Sequence, residues 1–424
     1  MKNHKWMIFA FWAMLLPLLA HASVRITDMR INGLVNPCGT DPDGKAVFSW
    51  VLSSDKPETM QTAYRIVVYS QNKKLWDTGK VMSDRSIDVT YDTTLLPDTE
   101  YSWTLQVWDN HGSASKKMTS TWQTGIRPVD WKAEWVSASD STLPAYFRKG
   151  ISLSKKVRKA TVYITSHGLY EAYVNGSRIG NDELTPGWTS YFKRLQYQAY
   201  DVTRMLQQGR NSLAAVVSPG WYSGGMGTGN PKNRYKYGKD VSLLMQVNIE
   251  YSDGTKESIV TDGSWECCVP AEESSALAGG MVFANIYDGQ TIDARLVDTT
   301  WASNTPKTAW NRKVKVLDFP KNHLVPTLNE PVKAYEAIPA KNLIVTPKGE
   351  KVIDFGQNIV GWERVKLSGK EGDRIRITHA EVLDKDGNLL GSAAAREIAL
   401  DDLGRIVIPK EIRRTLRIRE GDPL

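Results

Sequence analysis

Residues 168–176 read Gly168-Leu169-Tyr170-Glu171-Ala172-Tyr173-Val174-Asn175-Gly176, and this stretch decides the fold. Glu171–Val174 alternates in the way a strand does. Asn175-Gly176 supplies the two residues that a tight hairpin needs, both of which tolerate positive φ. The same grammar recurs on either side. Ala160–Ile164, Ser212–Val217, Val241–Tyr251 and Glu257–Thr261 are strand-like runs, and Asp253-Gly254 is a second hairpin turn. Helical periodicity is nearly absent. Only Asp201–Gln207 is expected to form one or two helical turns, with Asp201 as its cap. Residues 141–325 are therefore expected to form one large β-sandwich, jelly-roll-like in style.

Residues 23–126 repeat the pattern on a smaller scale. Ala46–Val51, Tyr64–Tyr69, Ile87–Tyr91, Tyr101–Trp108 and Met118–Gln123 are short runs bounded by Gly, Pro, Asp or Asn. Within them Leu95-Leu96-Pro97-Asp98-Thr99-Glu100-Tyr101 has the spacing of a tyrosine corner, and the stretch resembles a fibronectin type III domain. Trp131 and Trp135 lie in the connector 127–140 and read as anchors between domains. Residues 330–390 begin a third β module through Lys351–Phe355, Glu363–Ser368 and Arg374–Ala380. It has too few strands to close as a sandwich by itself. The predicted fold class is all-β: tandem sandwich modules, the last truncated, preceded by a signal peptide and followed by a short strand–helix tail.

Composition narrows the function. The chain has 424 residues, a net charge of +7, 15 Trp and 17 Tyr. No block carries a strong excess of charge, so bulk electrostatics does not favour nucleic acid. Aromatics in such number suit sandwich cores and also surfaces on which sugar C–H faces stack. Lys2 and Lys5, the apolar run Trp6–Leu19 and Ala20-His21-Ala22 form a secretion signal over residues 1–22. The run is shorter than the ~20 residues of a membrane span, so no membrane association is expected after cleavage, and the protein is expected in the periplasm or outside the cell. The three cysteines, Cys38, Cys267 and Cys268, do not make a disulfide scaffold. No Cys/His spacing suggests structural zinc. The stretch Pro219–Asn230 is a Gly-rich loop with aromatics and lacks the Gly-Lys-Ser/Thr ending of a phosphate loop.

The segment 168–176, followed by Leu184-Thr185-Pro186-Gly187-Trp188-Thr189, Lys193–Thr203 and Gly220-Trp221-Tyr222, resembles the N-terminal sandwich of bacterial α-L-rhamnosidases. Val352–Trp362 is similar to the start of their next β-sandwich. With the leading domain, the resemblance covers roughly residues 24–390. It implies a glycoside hydrolase that removes terminal L-rhamnose with inversion, using two carboxylates ~6.5–9.5 Å apart. In that family these sit in an α-helical toroid that follows the β modules. No residue of this chain matches the catalytic motif, so no catalytic residue is assigned and the chain is not expected to be an enzyme as it stands; an active rhamnosidase is the alternative.

The resemblance further implies a possible site for rhamnose-containing glycan, in some members with calcium. Asp182, Glu183, Trp188, Tyr191, Trp221 and Tyr222 are the candidates. Rings offer flat apolar faces and carboxylates accept from hydroxyls or hold calcium. The competing reading is core packing for the tryptophans and a solvated turn for Asp182 and Glu183.

Gly391-Ser392-Ala393-Ala394-Ala395 reads as a linker. Residues 396–424 resemble the swapped-hairpin DNA-binding domain of AbrB and SpoVT regulators, through Leu400–Leu424. Arg405–Ile408 reads as a strand and Pro409 as the first residue of a helix. The resemblance implies DNA contacts for Arg405, Arg413 and Arg414. Ile398 stands where that family has a further basic residue, and the paired strands of its dimer are not encoded, so the tail is expected to be a fragment rather than a DNA reader.

Overall fold

The computed structural model describes residues 24–138, 143–226, 233–270, 278–287, 289–310, 312–366, 374–379, 383–388, 393–400 and 406–407. The expected signal segment, residues 391–392 of the expected linker, and Arg405, Arg413 and Arg414 lie outside them. The chain divides into two compact units. The first comprises residues up to 36, 46–92 and 100–122. The second takes in 37–45, 93–99 and everything from Gln123 onward.

The first unit is a two-sheet sandwich. One sheet orders Val24–Ile31, Ala46–Ser54 and Val89–Tyr91; the other holds Met118–Thr124, Glu100–Asp109, Gln61–Ser70 and Lys73–Asp77. In Glu100–Asp109 every second residue is buried, placing Tyr101, Trp103, Leu105 and Val107 on one face. Phe48 from the opposite sheet meets Trp103 at 4.7 Å and Trp122 at 6.0 Å between ring centroids. The five expected strands are present. Val24–Ile31, Lys73–Asp77 and the two-residue Val81–Met82 add three that the sequence did not reveal.

In the second unit, one sheet runs Lys315–Leu317, Trp135–Ser137, Ser242–Tyr251, Val157–His167, Leu195–Asp201 and Leu324–Pro326. The facing sheet runs Ser177–Arg178, Leu169–Val174, Gly209–Ser218, Ala145–Leu153, Glu266–Cys268 and Arg312–Lys313. Period-2 alternation sorts their side chains. Val162 and Ile164 enter the core between the sheets with Phe147, Ala215 and Val247. Tyr163, one residue out of phase, joins Trp131, Trp135, Tyr197 and Leu244 on the outer face of the first sheet. Cys267 and Cys268 divide likewise, Cys267 into the central core and Cys268 into a cluster with Tyr146, Trp301 and Trp310 outside the second sheet. None of the three cysteines is in a disulfide.

Trp131 and Trp135, expected as anchors between domains, are core residues of the second unit, 6% and 0% exposed. Asp201–Gln207 is a turn and not the expected helix. Val202 and Leu206 are both buried at helical spacing, which is why the sequence suggests one. Asp201 Oδ1 instead accepts from Thr203 N at 2.8 Å, and the Asn211 side chain accepts from Gln207 N and donates to Gln207 O. Side chains thus satisfy the backbone groups that a further helical turn would have used. Asn175 and Gly176 have φ of 52° and 83°, as a tight hairpin turn requires.

Farther on, Asn342–Val345 pairs with Lys351–Asp354. The expected strand Glu363–Ser368 is irregular over its described residues 363–366. Ala393–Leu400 is a strand paired to Arg374–His379, so the last three residues of the expected linker belong to a sheet that also includes Ile406–Val407.

The segment 93–99 is fixed within the second unit by Asp98. Its carboxylate accepts from Tyr163 Oη at 2.6 Å, Gln123 Nε2 at 3.1 Å and Asn248 Nδ2 at 3.0 Å. Asp98 also sits at φ 49°, where Asn and Asp are better tolerated than other residues with a Cβ. Asp98→Ala is therefore expected to cost about 2–4 kcal/mol, measured as a shift of the denaturation midpoint. Asp98→Asn is expected to cost less than half of that. An unchanged midpoint in Asp98→Ala would show that the three bonds contribute nothing net.

Candidate functional site

A loop of successive turns follows the hairpin. Gly187 N donates to Leu184 O at 2.9 Å, Lys193 N donates to Ser190 O at 2.8 Å, and the Tyr191 hydroxyl donates to Gly187 O at 3.1 Å. A single helical turn, Gly220–Ser223, brings a second segment beside it. The short helix needs glycine at both contacts. At Gly220, φ is 52° and a Cβ would meet Leu169 Cγ at 2.5 Å; at Gly238 a Cβ would meet the Tyr222 hydroxyl at 2.1 Å.

These two segments assemble four of the six candidate residues. Trp188 and Trp221 stack in parallel, 5.7 Å between centroids and 9° between planes. Trp188 is 51% exposed, and its Nε1 donates to the Tyr237 hydroxyl at 3.2 Å. Below, Tyr191 packs edge-on against Tyr222 at 5.4 Å and tilts against Tyr237 at 4.8 Å. Tyr222 then stacks on His167 at 4.5 Å, and His167 on Trp135 at 4.2 Å. Burial pushes the Tyr222 hydroxyl up to about 12 and raises Tyr191 further. The same burial lowers His167 to about 3, with His323 adding to the effect. The column is therefore neutral at ordinary pH: buried rings below, with the half-buried Trp221 and the exposed Trp188 above.

Tyr191 and Tyr222 are packing residues, 3% and 5% exposed, while Trp188 presents a face to solvent. Asp182 and Glu183 are placed elsewhere. Glu183 is paired with Arg178 at 3.1 Å; Asp182 accepts from the Tyr200 hydroxyl at 3.0 Å and faces Lys333 at 3.6 Å. The Glu183 and Asp182 side chains are 14% and 12% exposed, so they do not form a solvated turn. Calcium needs about six to eight oxygen donors. These two carboxylates are already matched by cations, and no group of three or more His, Cys, Asp or Glu is disposed for a metal among the described residues. The pair does not fit a calcium cage.

Sequence reasoning missed Tyr237, Phe192 and His167. Phe192 is 70% exposed and 5.5 Å from Tyr237. The signals were Tyr235-Lys236-Tyr237 after the Gly-rich loop and the doublet Tyr191-Phe192. His167 gave none, being separated from both loops in sequence. Among the described residues, no helix is long and apolar enough to cross a membrane.

Comparison with known proteins gives these domains their kinship. Residues 26–128 match the Rha78A-like N-terminal immunoglobulin domain, 155–336 the α-L-rhamnosidase N-terminal domain, and 344–400 the bacterial α-L-rhamnosidase concanavalin-like domain. An α-L-rhamnosidase of Streptomyces avermitilis is 37% identical over 301 residues, 70% of this chain and 27% of that protein. The crystal structure of an Aspergillus terreus α-L-rhamnosidase superposes with a TM-score of 0.77 at 29% identity, covering 92% of this chain and 46% of that one. The structure of the Streptomyces avermitilis enzyme complexed with L-rhamnose gives 0.72 at 25%, covering 92% and 55%. Separately, 25 residues, 6% of the chain, are 92% identical to stage V sporulation protein T of Bacillus subtilis. The chain thus spans about a quarter to a half of the rhamnosidases it matches, and it carries the immunoglobulin-like, N-terminal and concanavalin-like domains of the bacterial α-L-rhamnosidases.

Proposed function

We propose that this chain is the non-catalytic, carbohydrate-associated β portion of an exported α-L-rhamnosidase-type glycoside hydrolase, and that it binds rhamnose-containing glycan on the Trp188–Trp221 face. The exposed indole of Trp188, held by its stack on Trp221 and its bond to Tyr237, carries the reading. Rhamnose is a 6-deoxy sugar, so its methyl group and ring C–H bonds give it an apolar face suited to an indole. The relative whose structure holds L-rhamnose shares this architecture. The export signal in residues 1–22 fits a protein that meets glycans outside the cytoplasm.

Hydrolysis of a chromogenic aryl α-L-rhamnoside, with and without calcium, tests the non-catalytic half of the proposal. No turnover is expected in either condition. Turnover would place a carboxylate pair within the β modules and overturn it. Trp188→Ala tests the binding half. Rhamnoside affinity is expected to fall about ten-fold, the scale of one lost ring contact with its buried area. Stability is expected to change by less than about 1 kcal/mol, because the side chain is half exposed. Unaltered affinity would remove Trp188 from the site.

A further inference from the structure

On the opposite sheet of the same unit, the geometry points to a second binding site, for a carboxylate-bearing sugar of the hexuronate class, at Arg148 and Trp310. Arg148 lies on Ala145–Leu153, in register with Ala214 and Glu266 on the flanking strands. It has the parity of Tyr146 and so leaves the outer face of that sheet. A guanidinium in such a place should be fully paired. This one is not. Its side chain is 6% exposed, yet Nη1 has no hydrogen-bond partner. Nη2 donates to Thr308 O at 2.8 Å, Nε reaches Glu266 Oε2 only at 3.4 Å, and the plane lies 4.1 Å from the centre of the Trp310 ring. Glu266 is itself shared with Lys313 at 3.6 Å. The next carboxylate, Asp298, accepts from Thr300 N and Thr300 Oγ1 through Oδ1, while its Oδ2 is buried without a hydrogen-bond partner.

Arg148 lines a cavity of about 450 Å³ with Arg210, Lys307, Glu266, Asn304 and Trp310. That volume suits a ligand of one or two sugar rings. Three cations face one carboxylate that is already divided between two partners, so the cavity favours an anion. Arg148 offers a fork matched to a carboxylate. Asn304 supplies groups that a hydroxylated ring can use, and the Trp310 ring packs against the guanidinium. A small inorganic anion would leave most of the cavity unfilled. A sugar acid satisfies both the charge and the volume. This site uses no residue of the Trp188 face.

The test is a calorimetric titration of the full chain with D-glucuronate and, in parallel, with neutral D-glucose. Saturable glucuronate binding is expected, weakened at least five-fold by raised salt, with glucose at least ten-fold weaker. Excess L-rhamnose should leave it unchanged, so failure of the rhamnose site and failure of this one are separately visible. Lys307→Glu, an exposed position, is expected to weaken glucuronate at least ten-fold. Arg148→Lys, which keeps the charge and loses the fork, is expected to weaken it similarly. Absent binding, equal binding of glucose, or indifference to Lys307→Glu would overturn the proposal even if the Arg148 variant fails to fold.

Discussion

Trp135→Ala is expected to destabilise the second unit by about 3–5 kcal/mol, the range for deleting a buried Trp or Phe side chain from a close-packed interior. Trp135 is fully buried, stacked on His167 and edge-on to Phe319 at 6.2 Å. It lies on the strand Trp135–Ser137, which joins Lys315–Leu317 to Ser242–Tyr251. Its loss opens a cavity at the foot of the aromatic column, so rhamnoside affinity should fall along with stability. Its Nε1 is buried without a hydrogen-bond partner. Trp135→Phe removes that uncompensated group together with some area, and is expected to cost only about 1–2 kcal/mol. Calorimetric unfolding of both variants checks this. Equal costs for Ala and Phe, or a cost below about 1 kcal/mol for Ala, would show that the column does not support the unit.

The second large effect is on pH dependence. His167 is 5% exposed, sandwiched between Trp135 and Tyr222, with Nδ1 3.0 Å from Ser242 Oγ. Burial lowers its folded pKa to about 3, from an ordinary 6.5. Below pH 6.5 the unfolded chain takes up a proton that the folded chain refuses until near pH 3. Stability is therefore complete above pH 6.5 and falls as the pH drops through this window. By pH 5 the loss is about 2 kcal/mol. His323, also lowered by burial, acts in the same direction. His167→Phe keeps a flat ring in the stack and is expected to flatten most of the slope between pH 7 and pH 5. A wild-type stability that stays level across that interval would show that His167 is not held neutral.

The sequence made the central strands legible and hid several others for definite reasons. Val157–His167 and Ser242–Tyr251 advertise themselves through alternating apolar residues. Leu195–Asp201 does not, because Gln196 and Gln198 are buried within it. Their amides are satisfied by Asn329, Pro186 O, Thr327 and the Tyr170 hydroxyl, an arrangement that only the tertiary fold reveals. Trp135–Ser137 is three residues long, too short to show a period. At the candidate site, the motif loops identified Trp188 and Trp221. Sequence proximity wrongly grouped Asp182 and Glu183 with them, since nothing local announces Arg178 and Lys333 as their partners.

Titration of the purified chain with L-rhamnose by calorimetry tests the central claim most directly, with Trp188→Ala measured alongside. Saturable binding at one site per chain, weakened about ten-fold in the variant, is the expected result. The absence of saturable binding, or binding that Trp188→Ala leaves unchanged, would contradict a carbohydrate-binding role for the aromatic face.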